Sequence, residues 1–255
     1  MTDALSAKPL VNDTYAQSLM GEEGLAYWEA FKAHANPNGS NIARCFIIDN
    51  WIKDELAVNQ KTTIILIGAG LDSRAFRMTG GNWIELDEPG IIEYKNEKLP
   101  QAGCKNSLTR IPIDFETEKL LDKLLPFRTN DKVVIVVEGV LMYLANDQRR
   151  QLLETLTASF KNQILLCDLM DKPFFDRLGS KGIYTELKKS NALFRDMMDD
   201  PKQLMLSAGY KLDASKSNII TASDHGLLTI PRFIVKFLMK KLMMGYSSYR
   251  FSFSN

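Results

Sequence analysis

Histidine is scarce in this sequence: only His34 and His225 occur among 255 residues. Two histidines cannot build a three-histidine metal site, and no metal is expected. They also restrict mechanisms that need an imidazole base. Cysteine is nearly as rare. Cys45, Cys104 and Cys167 are odd in number, widely spaced, and form no CxxC pattern. That spacing argues against a disulfide framework and a zinc knuckle, and a reducing, cytoplasmic setting is expected. An excess of one charge is also missing. Lys and Arg number 32 against 31 Asp and Glu, a formal net charge of +1. Nucleic-acid binding usually shows a clear basic excess, so no nucleic-acid partner is expected. The opening stretch MTDALSAKPLVND has no apolar run of the kind a secretory signal needs. No stretch reaches the roughly 18 uncharged apolar residues of a membrane span. The nearest, Leu227–Met244, carries Arg232, Lys236, Lys240 and Lys241.

What is present is a strand–helix alternation. Three continuous apolar runs, Thr62–Ile67, Lys132–Val137 and Gln163–Asp168, read as strands buried on both faces. Weaker strands fit at Trp83–Leu86 and Ser107–Ile113, and helical spacing covers Glu88–Leu99, Glu116–Leu125 and a helix starting at Asn146. The pattern predicts an α/β fold: a Rossmann-like, open, mostly parallel sheet with helices on both faces. Tyr15–Phe31 and Ile42–Leu56 read as helices broken at Asn36-Pro37-Asn38-Gly39, and they are expected to cap one sheet edge. Gly209–Leu212 reads as a turn into a strand, and the alternating Tyr249–Phe253 as a C-terminal edge strand. The expected organisation is one unit over residues 1–255, with a helical cap (1–60), a cofactor-binding core (61–170) and a substrate-side segment that completes the sheet (171–255).

Gly68-Ala69-Gly70 follows the first strand directly, where a tight turn lets a ligand approach the backbone. Asp87 ends the next strand, about twenty positions on, where a carboxylate can accept from both ribose hydroxyls. Asp87 is equally placed to start the following helix as its cap. A dinucleotide loop would carry a third glycine at position 73, which is Ser73 here. The loop therefore favours an adenosine-containing ligand without a pyrophosphate, of which S-adenosylmethionine (SAM) is the common one.

Four segments, LIGAGLDSRAFRM, WIELDEPGIIEYKNEKL, IPIDFE and VVEGVLMYL, occur in this order, preceded by IARCFIIDN. Together they resemble the leucine carboxyl methyltransferase and polyketide O-methyltransferase family. The resemblance runs from Ile42 to Leu144, with a looser fit through Cys167-Asp168. It implies a SAM-dependent O-methyltransferase acting on a carboxylate or hydroxyl of a small molecule or peptide. It implies further that Arg44 pairs with the SAM carboxylate, that Gly68 and Gly70 lie under the methionine part, and that Asp87 holds the ribose. By the same resemblance Asp114 and the Phe115 backbone face the adenine, and Glu138 sits beside the amino end. Tyr143 is a candidate wall or hydrogen-bond donor of the acceptor pocket, with packing against the sheet as the alternative. His225, in Ser-Asp-His-Gly, is the candidate base if the acceptor needs one.

Two readings compete with this one: a nicotinamide-dependent oxidoreductase on the same sheet, and a SAM-binding partner protein without turnover. Tyr184 and Lys188 match a short-chain dehydrogenase pair, but the glycine loop that pair requires is absent. Asp171-Lys-Pro-Phe174 follows the wrong strand for an amine methyltransferase motif. In the C-terminal segment, Ile230, Phe233, Ile234, Phe237, Leu238 and Leu242 share one helical face, and Arg232, Lys236 and Lys240 another. Packing of the apolar face on the sheet is the expectation, and contact with an anionic membrane the alternative.

Overall fold

The computed structural model describes residues 1–181, 183–189 and 192–254. Seven strands form one sheet: β1 (Thr63–Ile67), β2 (Asn82–Asp87), β3 (Ser107–Pro112), β4 (Val133–Val137), β5 (Asn162–Met170), β6 (Lys211–Ser217) and β7 (Tyr246–Ser254). Their order is β3-β2-β1-β4-β5-β7-β6. β1 to β5 run parallel, and β7 runs antiparallel to both β5 and β6. The strand order reverses between β1 and β4, and a crevice opens there at the carboxyl ends of the strands.

The helices are α1 (Ala16–Phe31), α2 (Ala35–Val58), α3 (Arg74–Arg77), α4 (Pro89–Lys98), α5 (Leu120–Leu124), α6 (Asn146–Ser159), α7 (Lys172–Phe174), α8 (Ile183–Lys189), α9 (Lys202–Ser207), α10 (Asn218–Asp224) and α11 (Lys240–Met243). Side chains alternate across a strand, so each apolar run serves two cores. Ile64, Leu66, Val134, Val136, Ile164 and Leu166 face Ile47, Ile48, Trp51 and Ile52 of α2. Ile65, Ile67, Ile135, Val137, Leu165 and Cys167 face Leu152, Leu153 and Leu156 of α6. Each fully buried Ile or Leu of this kind contributes about 1.5–3 kcal/mol. A third cluster, with Met142, Phe174, Ile219, Val235, Met243 and Tyr246, lies past the ends of β4 and β5.

Five expectations are corrected. The 36–39 stretch does not break a helix; it forms the first turn of α2, where proline is tolerated because its missing N–H would be unpaired anyway. The second helix does not cap a sheet edge but packs on a sheet face. The helix expected over Glu116–Leu125 shrinks to α5, because Asp114 Oδ1 accepts from the Glu116 and Thr117 N–H groups and bends the chain. The C-terminal strand is interior, and β6 is the edge. Two of its serines, Ser247 and Ser248, are fully buried. Their hydroxyls donate to Met244 O and Asn218 Oδ1. Finally, the C-terminal helix is broken: a π-helical turn (Ile234–Leu238) precedes α11, and Phe233, Phe237 and Leu238 are exposed.

Within the mixed 171–201 stretch, residues 182, 190 and 191 lie outside the described residues. The others gather Phe175, Tyr184 and Phe194 with ring centroids 4.7–5.6 Å apart. Tyr184 is a packing residue here, with the Lys188 ammonium 4.9 Å above its ring. Among the described residues, no helix is long and apolar enough to cross a membrane.

Candidate active site

Two cavities meet at the switch point. The smaller, of about 400 Å³, is lined by the Gly68–Gly70 loop, Ser73, Arg74 and Glu138. The larger, of about 570 Å³, lies over the third cluster and is lined by Met142, Tyr143, Phe174, Phe194, Met243 and Tyr246 among others. Arg44 and Gly139 belong to both linings. Gly70 has φ +48°, and nothing stands within 4 Å of where a Cβ would project, so this side of the loop is open. Gly139 has φ +68°, and a Cβ there would come within 3.2 Å of Arg44 Nη2. A side chain at 139 would thus press on the residue that joins the two cavities.

Arg44 projects from α2 and is held by three groups from distant elements. Its Nε donates to Glu138 Oε1 at 2.9 Å, and its Nη1 donates to Asp168 Oδ2 at 3.2 Å and to the Tyr246 hydroxyl at 2.9 Å. Its Nη2 donates to none of the described residues. Asp168 is fully buried at the end of β5, and its Oδ1 accepts from Gly139 N at 2.6 Å. Glu138 Oε2 lies 2.7 Å from Arg74 Nη2. Arg74 in turn pairs with Asp49 at 2.6 Å and with Asp72, and Arg77 pairs with Asp49. Burial alone would raise the Glu138 carboxyl, but Arg74 and Arg44 outweigh it and hold it below the usual glutamate range. Burial likewise acts against Asp49 ionisation, and Arg74 and Arg77 overcome it. The network holds three arginines and four carboxylates, one net negative charge beneath the smaller cavity.

Arg44, Gly68, Gly70 and Glu138 therefore come together. Asp87 lies behind the loop: its Oδ2 accepts from Gly70 N at 2.5 Å and its Oδ1 from Glu88 N at 2.8 Å. Each carboxylate oxygen retains a lone pair for a further donor. Asp114 and Phe115 sit past the end of β3, outside the described lining of either cavity. Asp114 Oδ1 is occupied by its own turn, and Phe115 N donates to Glu88 Oε1 at 3.3 Å. Tyr143 lines the larger cavity, edge-on to Phe194 at 5.1 Å, and burial raises its hydroxyl pKa.

His225 does not join them. It is exposed at the end of α10, its ring edge-on to Phe46 at 5.0 Å, and it lines neither cavity. His34, just before α2, lines the larger cavity instead. Arg74, Asp49, Asp168 and Tyr246 were also missed as site residues. Asp168 had a signal: it is an acid closing a run of buried apolar residues, as Asp87 is.

A family model described as leucine carboxyl methyltransferase matches residues 1–157, and the chain belongs to that family. A Mycobacterium avium (strain 104) protein named "Putative S-adenosyl-L-methionine-dependent methyltransferase" is 28% identical over 170 residues, covering 59% of this chain and 54% of its own length. A protein of the same name from Mycolicibacterium vanbaalenii is 26% identical over 181 residues, covering 64% and 61%. The chain thus spans little more than half the length of these relatives. Among solved structures, the magnesium protoporphyrin IX methyltransferase (ChlM) of Synechocystis PCC 6803, with bound SAH, superposes with a TM-score of 0.54 at 13% identity, covering 95% of this chain and 99% of that one. The pyocyanin biosynthetic protein PhzM gives 0.50 at 9% identity, covering 95% and 62%. At such identities these two show a common fold, the Rossmann-like one expected from the strand pattern.

Proposed function

We propose that the chain is a SAM-dependent O-methyltransferase whose acceptor is an apolar molecule bearing a carboxylate. The observation that carries this reading is the meeting of the two cavities at Arg44 and Gly139. A cofactor in the smaller one and an acceptor in the larger one would face each other across that junction.

The residues present fit SAM. Arg44 Nη2 offers a donor for its carboxylate, and Gly70 leaves open space for its backbone approach. Ser73 Oγ, buried in the lining of the smaller cavity, has no hydrogen-bond partner among the described residues. The single net negative charge of the arginine–carboxylate network complements a cofactor with two positive groups and one negative. Glu138 would receive the cofactor's amino group and Asp87 its ribose hydroxyls, while Asp114 and Phe115, outside both cavity linings, would face the adenine only if it extends past β3. When bound, SAM supplies an electrophilic methyl group on a sulfonium.

What this chain's residues must then do is align the acceptor and keep water out, which can be worth about 7–11 kcal/mol in favourable cases. The larger cavity suits that task. Its lining is dominated by Met, Phe, Leu, Ile and Tyr side chains, and its volume lies in the range of small-molecule sites. The charged side chains lining it are Arg44 and Lys181, and no Asp or Glu is among the described residues there. A carboxylate acceptor is ionised at neutral pH and needs no base, whereas a phenol with a pKa of about 10 does. Arg44 is committed to Glu138, Asp168 and the cofactor carboxylate, so Lys181 is the cation that favours the first, and the lack of a carboxylate base disfavours the second. His34 is the one imidazole in reach for a hydroxyl acceptor. Calorimetric titration with SAM and its demethylated product, beside NADPH, tests the cofactor assignment. Binding of NADPH alone, or of none of the three at micromolar levels, would overturn it.

A further inference from the structure

The segment between the larger cavity and β7 has apolar side chains on two sides. Val235 and Met243 point inward and are fully buried, with Met239 and Leu242 packed beside them. Phe233, Phe237 and Leu238 point outward, 59%, 80% and 73% exposed. Phe233 and Phe237 are four positions apart and share a side, and the i→i+5 repeat of the π-helical turn brings Leu238 back toward Phe233. Most other exposed large apolar residues, such as Leu5, Val58 and Leu125, stand singly, which is ordinary for a soluble surface. Three together, two of them phenylalanine, are not.

The charges around the prongs are basic. Lys240 and Lys241 follow directly and are exposed. Arg232 and Lys236 share one acid, Asp224, and the Arg232 side chain keeps 61% of its surface in water. Large apolar side chains ringed by lysines match the polar–apolar boundary of an anionic bilayer, where the rings enter the headgroup layer and the ammonium groups meet lipid phosphate. A folded protein partner would more often offer acids to the lysines or an apolar groove to the rings, but not both over so short a segment.

We infer that Phe233, Phe237 and Leu238, with Lys240 and Lys241, form a docking surface for anionic membrane. The same segment is bracketed by Ile230 and Met243, which line the larger cavity. Docking would hold that cavity beside the bilayer, so its acceptor is a molecule that partitions into lipid. This last step rests on the methyl-transfer reading; the docking surface does not.

Co-sedimentation of the full chain with vesicles, without cofactor or acceptor, separates the two. The chain is expected to pellet with equal-part phosphatidylglycerol–phosphatidylcholine vesicles and to stay in solution with phosphatidylcholine alone. Lys240→Gln with Lys241→Gln should weaken binding by about thirtyfold, as expected for two lysines at the surface. Phe237→Ser with Leu238→Ser should weaken it by roughly tenfold or more. These side chains are exposed, so both variants should keep the parent's circular dichroism and melting temperature. Absence of binding to anionic vesicles, or variants that bind like the parent, overturns the proposal. So does a dimer of the parent in light scattering that becomes monomeric in Phe237→Ser with Leu238→Ser, since the surface would then belong to a second copy.

Discussion

Arg44 reaches from α2 to Glu138 beyond β4, and its Nε donates to Oε1 at 2.9 Å across 94 residues of sequence. The pair ties the N-terminal helical layer to the switch point and leaves Nη2 facing the junction of the cavities. Arg44→Lys should therefore damage binding before it damages folding. A lysine offers one point charge and cannot hold Glu138, Asp168 and a ligand carboxylate together. The loss of a charge-assisted hydrogen bond is worth about 1.5–3 kcal/mol, or roughly ten- to a hundredfold in SAM affinity. Calorimetry reads it; an unchanged Kd would remove Arg44 from the cofactor site.

Asp87 secures the glycine loop, and its proposed hold on the ribose can be tested apart from that. Its Oδ2 accepts from Gly70 N at 2.5 Å. Asp87→Asn keeps one acceptor oxygen for the loop but cannot accept from both ribose hydroxyls. It should lower affinity for the demethylated cofactor by about tenfold or more. It should lower the melting temperature by no more than about 2–4 °C, the equivalent of roughly 1 kcal/mol in a chain of this size. A fall in melting temperature with unchanged affinity would mean that Asp87 only secures the loop.

The sequence shows β1, β4 and β5 because a strand buried on both faces carries a continuous apolar run. The glycine loop and Asp87 are legible because their chemistry is local. Arg74 is not. Next to a glycine loop it reads as a solvated charge, yet it is 1% exposed, and only the fold brings Asp49 and Glu138 to it. β7 misleads for a related reason: the polar–apolar alternation of Tyr249–Phe253 looks the same in an edge strand and in an interior one. The exposure of Phe233 and Phe237 is hidden because helical periodicity shows that a face is apolar, not that anything covers it.

Asp49 gives a prediction about stability. It is 2% exposed between Arg74 and Arg77, so removing its charge leaves Arg77 without an acid among the described residues and Arg74 with only Asp72 and Glu138. Breaking a buried pair in this way costs about 3–5 kcal/mol. The folded carboxyl titrates below its unfolded value of about 3.9. Its contribution is therefore fully present above that value and is lost as the pH falls through the folded one. Urea unfolding of the parent and of Asp49→Asn should differ widely at pH 7 and converge in acid below about pH 3.9. A gap that stays constant into acid would show that the charge of Asp49 is not what stabilises the network.

The acceptor's chemistry can be read without knowing its structure. A carboxylate and a sulfonium lose one charge each when the methyl group moves, and no proton is released. A hydroxyl acceptor releases one proton per turnover. With a carboxylate, kcat/KM should stay flat from about pH 6 to 9, because the nucleophile is ionised throughout. With a phenol and no base it should rise about tenfold per pH unit toward a pKa of about 10. His34→Gln separates the remaining case, since it should leave carboxylate transfer within about twofold and depress transfer to a hydroxyl by 10²-fold or more if that imidazole is the base. Stopped assays on a panel of apolar carboxylic acids and phenols, with proton release followed by an indicator dye, supply all three readouts. Release of one proton per methyl transferred, together with a His34-dependent rate, would replace the carboxylate with a hydroxyl as the acceptor.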